Sequence, residues 1–376
     1  MKILLVTDAW APQVNGVVRT LEKTRETLAG MGHEVTVLSP AGHATLPCPS
    51  YPEIRLTLRP GRAARQVLQN GCFDAIHIAT EGPLGLAARR WCRRHGLAFT
   101  TSYHTRFPEY LRLRAPIPLA WSYAWLRWFH GAAERTLVRT DTQRELLGQQ
   151  GFKNLEIWPG AVDTELFHPR GRDALALPRP ISLYLGRVAP EKNIEAFLGL
   201  DLPGSKVVIG GGPALDQLRA RYPDVHFLGY RKGDALAEAI SAADVFVFPS
   251  LTDTLGLVML EAMACGVPVA AFPVPGPHDL VVNGGNGALD TDLRQAIFRA
   301  LAIDGADCVE YASRFTWQRS TCRFLHLLQP ASESSELAAD DEALTPDPPS
   351  DPSCSPEACD NYPDQWHWSG AAPSER

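Results

Sequence analysis

The sequence lacks any cysteine arrangement typical of a disulfide framework or a metal site. Its eight cysteines form no Cys-x-x-Cys pair, and none is spaced from a histidine as zinc ligands are. We therefore expect reduced, mostly buried thiols, no disulfide, no zinc and no metal cofactor.

Long uncharged runs are also missing. No stretch approaches the roughly 20 apolar residues that a membrane-spanning helix needs. The apolar start of the chain, Met-Lys-Ile-Leu-Leu-Val, ends too early for a signal peptide, which favours a cytoplasmic protein. With 376 residues and 45% hydrophobic content, the chain has enough material for two domains with separate cores.

Acidic residues are scarce in the first part of the chain and abundant at its end. Residues 1–170 carry 21 Lys and Arg against 14 Asp and Glu, residues 171–330 carry 14 against 17, and residues 331–376 carry 1 against 11. The early basic residues are mostly arginines, at positions 59, 62, 65, 89, 90, 93, 94, 106, 112, 114 and 127. They fit equally a solvated basic surface and a patch that faces anionic lipid.

Strands and helices alternate along the chain at the spacing of parallel, doubly wound sheets. A linker rich in Pro, Arg, Gly and Asp at 170–180 separates two such series. We predict an α/β fold of two tandem Rossmann-like domains, 1–168 and 169–328, with a cleft between the carboxyl ends of their strands. A last helix at 309–328 can return to the first domain, and 329–376 is predicted to be an acidic, Pro- and Ser-rich disordered tail.

The segment 250–269 carries the strongest local signal. It follows an apolar strand at 244–249 and runs through a polar turn into a helix at about 257–265, so that free backbone N–H groups lie beside the carboxyl end of a strand. Such a helix start binds anions. Asp253 in the turn and Glu261 on the helix add two carboxylates. Together these groups predict a phosphorylated, hydroxyl-rich ligand such as a nucleotide sugar.

A second signal lies at 186–193, where another strand meets a helix. Arg187 and Lys192 flank this turn and could neutralise a diphosphate in place of a metal ion. Ordinary helix capping explains the same residues about equally well. The presence of the segment 250–269 on the same predicted sheet favours diphosphate binding.

These motifs together resemble those of glycosyltransferase family 4, the retaining enzymes of GT-B fold. The resemblance rests on Gly186-Arg-x-x-x-Glu-Lys-Asn193, Ile209-Gly-Gly-Gly-Pro213, Phe248-Pro-Ser250 and Thr252-Asp-Thr-Leu-Gly-Leu-Val-Met-Leu-Glu-Ala262. It extends from residue 1 to about 328. It implies transfer of a sugar from a nucleotide-diphosphate donor.

The resemblance also implies roles in the donor site. Arg187 and Lys192 would hold the diphosphate, and Glu261 would bind the ribose hydroxyls. Asp253 would hold the donor sugar where the family usually has Glu, a replacement that resembles a lipid-glycosylating sub-branch. The remaining implied donor-binding residues are Asn15, Gly16, Val17, Gly212, Thr254, Leu255, Gly256 and Leu257.

In the first domain, His104 matches the family's active-site histidine near the sugar and the acceptor. A histidine at a strand end is otherwise more often structural. Glu81, at another strand end, could contact the acceptor or cap the following helix.

Three features depart from the family pattern or are rejected as sites. Asp290-Thr-Asp292 has the form of a manganese motif, but it precedes a predicted helix and is interpreted as an N-cap. Leu255 stands where the sub-branch has Phe. Ala161 replaces the Gly that usually precedes Val-Asp, which puts activity in question.

The aromatic segment 116–130 suggests where the acceptor binds. Trp121 and Trp125, with Arg106 nearby, have the composition of an interfacial helix that contacts anionic lipid. Packing in the core is the competing interpretation, and it is favoured for Trp128 and Phe129.

The sequence therefore predicts a glycosyltransferase that binds peripherally to the inner face of the cell membrane. The expected reaction moves a hexosyl group from a donor of the UDP-glucose or UDP-glucuronate type to a glycerolipid such as diacylglycerol. An alternative donor is GDP-mannose, with a phosphoinositol lipid or a soluble glycan as acceptor. A nucleotide-sugar epimerase or an inactive binding protein of the same fold remains a further alternative, and nucleic-acid binding is not expected.

Overall fold

The computed structural model describes residues 1–13, 15–48, 51–114 and 117–331. The predicted tail lies outside the described residues from 332 onward, as does the side chain of Arg114.

The first half of the chain forms a six-stranded parallel sheet with the strand order β2-β1-β5-β6-β7-β8. Its strands are β1 (Lys2–Val6), β2 (Glu34–Leu38), β5 (Ala75–Ile78), β6 (Thr100–Ser102), β7 (Arg135–Val138) and β8 (Leu155–Ile157). A separate antiparallel hairpin consists of β3 (Thr45–Cys48) and β4 (Tyr51–Thr57). The helices are α1 (Gly16–Gly30), α2 (Pro60–Asn70), α3 (Pro83–Arg94), α4 (Phe107–Arg114), α5 (Leu119–His130) and α6 (Asp141–Gln149).

The second half forms another six-stranded parallel sheet, with the order β11-β10-β9-β12-β13-β14. Its strands are β9 (Ile181–Leu185), β10 (Ser205–Ile209), β11 (His226–Gly229), β12 (Val245–Phe248), β13 (Val269–Ala271) and β14 (Gly287–Leu289). The helices are α7 (Glu195–Leu198), α8 (Leu215–Arg221), α9 (Asp234–Ser241), α10 (Leu257–Ala264), α11 (Pro277–Leu280), α12 (Leu293–Ala300), α13 (Gly305–Ala312) and α14 (Trp317–Leu327). The predicted fold class, two parallel doubly wound sheets in tandem, is confirmed.

The end of the chain differs from the single helix predicted over 309–328. Two helices, α13 and α14, occupy this region, because Thr316 accepts a hydrogen bond from Arg319 N (3.3 Å) and starts a new helix. The buried Phe324 of α14 packs with Ile3 and Leu5 of the first sheet. The last described helix therefore contributes to the core of the first sheet and not to that of the second.

His77 in β5 is fully buried between two hydroxyl groups of β6. Its Nδ1 lies 2.8 Å from Thr100 Oγ1 and its Nε2 lies 2.6 Å from Ser102 Oγ. One hydroxyl can donate to the unprotonated ring nitrogen while the other accepts from the protonated one. Both nitrogens of the neutral imidazole therefore have a hydrogen-bond partner. Burial is the main cause that lowers the pKa of His77 to about 3.

We expect acid to destabilise the fold through His77. The pKa of His77 in the folded state lies below the ordinary value of 6.5. Below pH 6.5 the unfolded state therefore binds a proton at this residue that the folded state does not bind. The free energy of unfolding should therefore fall by roughly 2–3 kcal/mol between neutral pH and about pH 4.5 through this residue alone. Urea denaturation of wild type and His77→Gln at both pH values measures the difference. Equal pH dependence in the two proteins would contradict the assignment.

Candidate active site between the two sheets

The two sheets meet where loops leave the carboxyl ends of their strands. Thr254 Oγ1, before α10, donates a hydrogen bond to the carbonyl of His104, after β6 (2.9 Å). The backbone N–H of Thr142 on α6 donates to Asp279 Oδ1 on α11 (3.1 Å). Both halves belong to one compact unit, Met1–Ser334. The structure therefore brings predicted site residues from both halves together along this line.

The start of α10 has the geometry of the predicted anion site. Its N-cap residue, Gly256, adopts a left-handed conformation (φ 82°), and a Cβ there would lie 2.8 Å from Met259 Cε and from Phe248 Cζ. Only glycine fits this turn without strain. The first backbone N–H groups of α10 have no acceptor within the helix, and they follow Asp253 and Thr254 directly in the turn.

Glu261 lies on α10 and is almost completely buried. Its Oε1 accepts a hydrogen bond from the guanidinium of Arg19 on α1, which joins the two halves. Its Oε2 is buried and accepts no hydrogen bond from the described residues. Burial raises the pKa of Glu261, and Arg19 opposes this rise. The second carboxylate oxygen can therefore accept a hydrogen bond from a ligand hydroxyl.

The loop 186–193 places its two cations beside carboxylates. Lys192 Nζ pairs with Asp253 Oδ1, and a nitrogen of Arg187 lies 3.7 Å from Glu191 Oε1. Asn193 adopts a left-handed conformation (φ 51°) and donates to the carbonyl of Pro249 (3.1 Å), which ties this loop to the end of β12. The two predicted cations thus lie in the same site as Asp253.

Gly210 and Gly212 allow the neighbouring loop to lie directly against the loop 186–193. A Cβ on Gly210 would lie 2.0 Å from the carbonyl oxygen of Gly186, and one on Gly212 would lie 2.4 Å from that of Val188. Main chain therefore packs on main chain at the wall of the site. The structure places Gly212 in this wall.

The implied donor-binding residues Asn15, Gly16 and Val17 lie at the start of α1. Asn15 caps the helix, because its Oδ1 accepts from the backbone N–H groups of Val17 and Val18 (3.1 and 3.0 Å). Gly16 is exposed and has open space where a Cβ would be. Arg19, on the same helix, contacts Glu261, so this helix start lies near α10.

His104 is held by a residue that sequence reasoning missed. A guanidinium nitrogen of Arg139 lies 3.3 Å from His104 Nδ1, while His104 Nε2 is buried without a partner among the described residues. Burial and the charge of Arg139 lower the pKa of His104 well below its ordinary value. The available signal was an arginine directly after β7, at the carboxyl end of a strand, where the loops that form the site begin.

Glu81 does not cap α3, because Asp8 performs that function. The Asp8 carboxylate accepts from the backbone N–H groups of Leu84 (3.0 Å) and Gly85 (3.3 Å). Glu81 Oε1 instead lies 3.2 Å from Nε2 of the buried His130. Of the two interpretations of Glu81, helix capping is excluded.

The predicted acceptor helix, α5, exposes part of its aromatic surface. Trp121 is 73% exposed, and the half-buried Trp125 packs beside Phe129. Arg106 pairs with Glu109 (3.0 Å). The expectation that Trp128 packs in the core is wrong: it is 52% exposed, while Phe129 is buried as expected.

The exposed ring of Trp128 lies over a cation. The guanidinium carbon of Arg89 lies 3.9 Å from the ring centroid, and Arg89 also donates to the carbonyls of Trp128 and Phe129. Cation–π stacking holds one face of the ring and leaves the other in solvent.

The Asp-x-Asp pattern at 290–292 forms a helix cap. Asp292 Oδ1 accepts from Arg294 N (2.9 Å) at the start of α12, and Asp290 pairs with Arg299 (3.0 Å). Within the described ranges, no group of three His, Cys, Asp or Glu side chains has the arrangement of a metal site.

Leu255, one departure from the family pattern, packs beside Gly160, the residue that directly precedes the other departure, Ala161. A Cβ on Gly160 would lie 2.2 Å from Leu255 Cδ2, so Leu255 occupies the space beside this glycine. Leu255 and Ala161 are both buried. Leu255 is thus a packing residue between the segment after β8 and the turn before α10.

Comparisons with known proteins agree with this geometry. The model of Glycosyltransferase Family 4 matches residues 14–166, and that of Glycosyl transferases group 1 matches residues 179–302. A GDP-mannose-dependent alpha-mannosyltransferase of Mycobacterium tuberculosis is 30% identical over 319 residues, which are 77% of this chain and 83% of that protein. The chain belongs to glycosyltransferase family 4.

Other similar proteins agree with this assignment. An alpha-monoglucosyldiacylglycerol synthase of Streptococcus pneumoniae is 26% identical and covers 80% of this glycosyltransferase and 78% of its own length. The solved sucrose-phosphate synthase of Thermosynechococcus elongatus superposes with a TM-score of 0.69 at 20% identity, covering 87% of this chain and 98% of that one. The predicted family, the GT-B fold and the glycosyltransferase activity are confirmed.

We expect Gly160→Ala to destabilise this glycosyltransferase, because the added methyl group collides with Leu255. Overpacking of this kind costs about 1–3 kcal/mol. Leu255→Ala removes the obstructing methyl groups, so the double variant should lose less stability than the sum of the two single losses. Urea denaturation of the four proteins measures this coupling. Strictly additive losses would show that the two positions do not touch.

Proposed function

We propose that this glycosyltransferase transfers a hexosyl group, from a donor of the UDP-glucose or UDP-glucuronate type, to a membrane glycerolipid such as diacylglycerol. The donor part of this proposal rests on one observation: two cations, two carboxylates and the start of α10 lie together at the facing strand ends. The cations are Arg187 and Lys192, and the carboxylates are Asp253 and Glu261. Retention of the anomeric configuration and independence from metal ions are parts of the same proposal.

The donor diphosphate would lie against the start of α10. Arg187, Lys192 and the backbone N–H groups of 254–257 offer positive charge and hydrogen-bond donors there. Lys192 pairs with Asp253 Oδ1, and a phosphate would compete for this lysine. Asp253 would then be available to accept hydrogen bonds from the hydroxyls of the donor sugar.

Glu261 would bind the ribose of the donor. Its Oε2 accepts no hydrogen bond from the described residues, whereas Arg19 compensates the charge through Oε1. A buried carboxylate oxygen without a donor is costly, and a ribose hydroxyl would satisfy it. Asn15, Gly16 and Val17 would approach the phosphates from the first half.

The leaving nucleoside diphosphate gains negative charge as the bond to the anomeric carbon breaks. Arg187, Lys192 and the start of α10 would stabilise this charge without a metal ion. Since we assign no carboxylate of the described residues as a covalent nucleophile, we propose attack on the same face, with a donor phosphate oxygen taking the acceptor proton. His104 would lie beside the sugar during this step.

The acceptor side of the proposal rests on the exposed surface of the first half. Phe107, Trp121 and Trp128 are 45%, 73% and 52% exposed. Exposed aromatic rings of this kind are typical of a surface that enters the lipid headgroup region. Glu81, Arg106 and Trp125 would lie between this surface and the cleft, near the acceptor.

An arginine face supports contact with anionic lipid. It consists of exposed arginines at the start of α2 and along α2 and α3, and neither helix contains Asp or Glu. Its members are Arg59, Arg62, Arg65, Arg90, Arg93 and Arg94. Each such cation adds about 1 kcal/mol of attraction to an anionic bilayer. Among the described residues, no helix has the length and apolarity needed to cross a membrane. We propose peripheral binding at the cytoplasmic face of the membrane.

A second candidate function uses GDP-mannose as donor and a phosphoinositol lipid or a soluble glycan as acceptor. The mycobacterial relative, a GDP-mannose-dependent alpha-mannosyltransferase, supports this donor. The streptococcal relative, an alpha-monoglucosyldiacylglycerol synthase, supports a diacylglycerol glycolipid. The geometry of the diphosphate site suits either donor.

A donor screen tests the proposal. We expect purified protein with diacylglycerol-containing anionic vesicles and EDTA to release UDP from UDP-glucose or UDP-glucuronate and to form a glycolipid. Arg187→Ala should lower kcat by roughly 10²–10³-fold, because it removes charge stabilisation of the leaving group. GDP release from GDP-mannose, or turnover that needs no vesicles, would favour the second candidate. Full activity of Arg187→Ala would contradict the proposed mechanism.

Vesicle binding tests the membrane surface separately. Trp121→Ser should weaken sedimentation with anionic vesicles by about tenfold, because it withdraws one large aromatic side chain from the interface. Phe298→Ser is the matched control, since Phe298 is 40% exposed on α12 of the second half. Binding should also fall as the salt concentration rises. Equal binding by both variants and wild type would exclude this surface.

A further inference from the structure

We propose that Arg139 is a positioning residue of the sugar-transfer reaction, which holds the His104 ring as a hydrogen-bond donor through Nε2. This inference rests on the proposed place of His104 beside the donor sugar. It adds the group that decides which ring nitrogen carries the proton.

Arg139 is a buried cation without a counter-ion. It follows β7 directly and is only 8% exposed. Its guanidinium carbon lies 4.0 Å from the ring centroid of Trp158, and one nitrogen lies 3.3 and 3.4 Å from the carbonyl oxygens of Trp158 and Pro159. No carboxylate among the described residues pairs with it. Burying an unpaired charge is costly, so the surroundings of Arg139 strongly constrain where it can lie.

The hydrogen bond between Arg139 and His104 has only one possible direction. A guanidinium carries five N–H donors and no acceptor. The Arg139 nitrogen that lies 3.3 Å from His104 Nδ1 must therefore donate, and Nδ1 must accept. In a neutral imidazole the proton then resides on Nε2. The charge of Arg139 also opposes a second proton on the ring.

The surrounding charges agree with a neutral ring. Burial is the largest cause that lowers the pKa of His104, followed by Arg139 and then by His77 and His130. Burial lowers the pKa of Arg139 to about 9, which leaves it cationic at neutral pH. His104 is therefore neutral, with one defined tautomer, throughout the neutral range.

His104 Nε2 is the atom left to act on a ligand. It is buried and has no hydrogen-bond partner among the described residues. The carbonyl of His104 accepts from Thr254 Oγ1 of the opposite half (2.9 Å), and its ring lies edge-on to Trp158 at 5.9 Å. Thr254 therefore holds the main chain of His104, and Trp158 packs against its ring. A hydroxyl of the donor sugar or the acceptor would satisfy this N–H.

Nitrogen-15 NMR of histidine-labelled protein tests the inference without any substrate. We expect the His104 signals, assigned by their loss in His104→Gln, to show a protonated Nε2 and an accepting Nδ1, with no titration between pH 5.5 and 8. In Arg139→Gln, His104 should gain a mixture of tautomers and its pKa should rise, because a neighbouring positive charge has been removed.

Arg89→Gln is the matched control. Arg89 is also buried, stacks on a tryptophan at 3.9 Å and donates to two main-chain carbonyls, but it does not contact His104. A similar loss of stability is expected in both variants, with a changed His104 signal only in Arg139→Gln. Arg139→Lys, which keeps the charge, should keep the ring neutral and serves as the second variant if Arg139→Gln does not fold.

Kinetics separates a positioning role from a purely structural one. With the donor and acceptor found in the screen, Arg139→Gln should lower kcat by roughly 10- to 100-fold, the range typical of losing a group that orients a metal-bound histidine. It should also add an ionisation of His104 to the pH profile of kcat, with little change in the KM of the donor.

Two results would overturn the inference. One is a wild-type His104 that is protonated at Nδ1 or charged at neutral pH. The other is an Arg139→Gln protein whose His104 tautomer and pKa equal those of wild type. Absence of turnover with every donor would refute the proposed function, while the NMR result would still decide the relation between Arg139 and His104.

Discussion

Parallel pairing within the two six-stranded sheets is the constraint on which the rest of the structure depends. Because neighbouring strands run in the same direction, all loops that follow them leave each sheet at one edge. The loops after β1, β5, β6 and β7 therefore lie together, as do those after β9, β10 and β12. Each half contributes polar side chains at one edge, and the two edges meet between His104 and Thr254.

The charged groups in this cleft form ion pairs in which one oxygen of each carboxylate remains able to accept a hydrogen bond. Arg19 engages one oxygen of Glu261, and Lys192 engages one oxygen of Asp253, while the other oxygen of each carboxylate accepts nothing from the described residues. The proposed binding of a diphosphate and several hydroxyls needs this combination. The cations compensate the buried carboxylates, and the remaining oxygens offer acceptors to a ligand.

The site residues that could be predicted from the sequence are those that follow the end of a strand within the same segment of chain. Arg187, Lys192 and Asp253 lie in strand-to-helix turns, and Glu261 lies on the helix that follows one of them. The position of these turns follows from the alternation of apolar strands and helices. Arg139 was missed because its partners, His104 and Trp158, come from other loops far away in sequence. Trp128 was placed wrongly because aromatic spacing along α5 does not show that Arg89 of α3 stacks on the ring. The break between α13 and α14 depends on the cap at Thr316, which an amphipathic pattern does not resolve.

The sequence alone determined the fold class, the family and the position of the two strand-to-helix turns proposed as the donor site, since each follows from local periodicity, glycine positions and short motifs. Tertiary structure decided which groups pair across the cleft, that Asp8 rather than Glu81 caps α3, and that Leu255 fits because residue 160 is glycine. It also decided the state of His104, whose tautomer is fixed by a guanidinium 35 positions further along the chain. These features depend on distances between segments remote in sequence, and only the packed chain defines such distances.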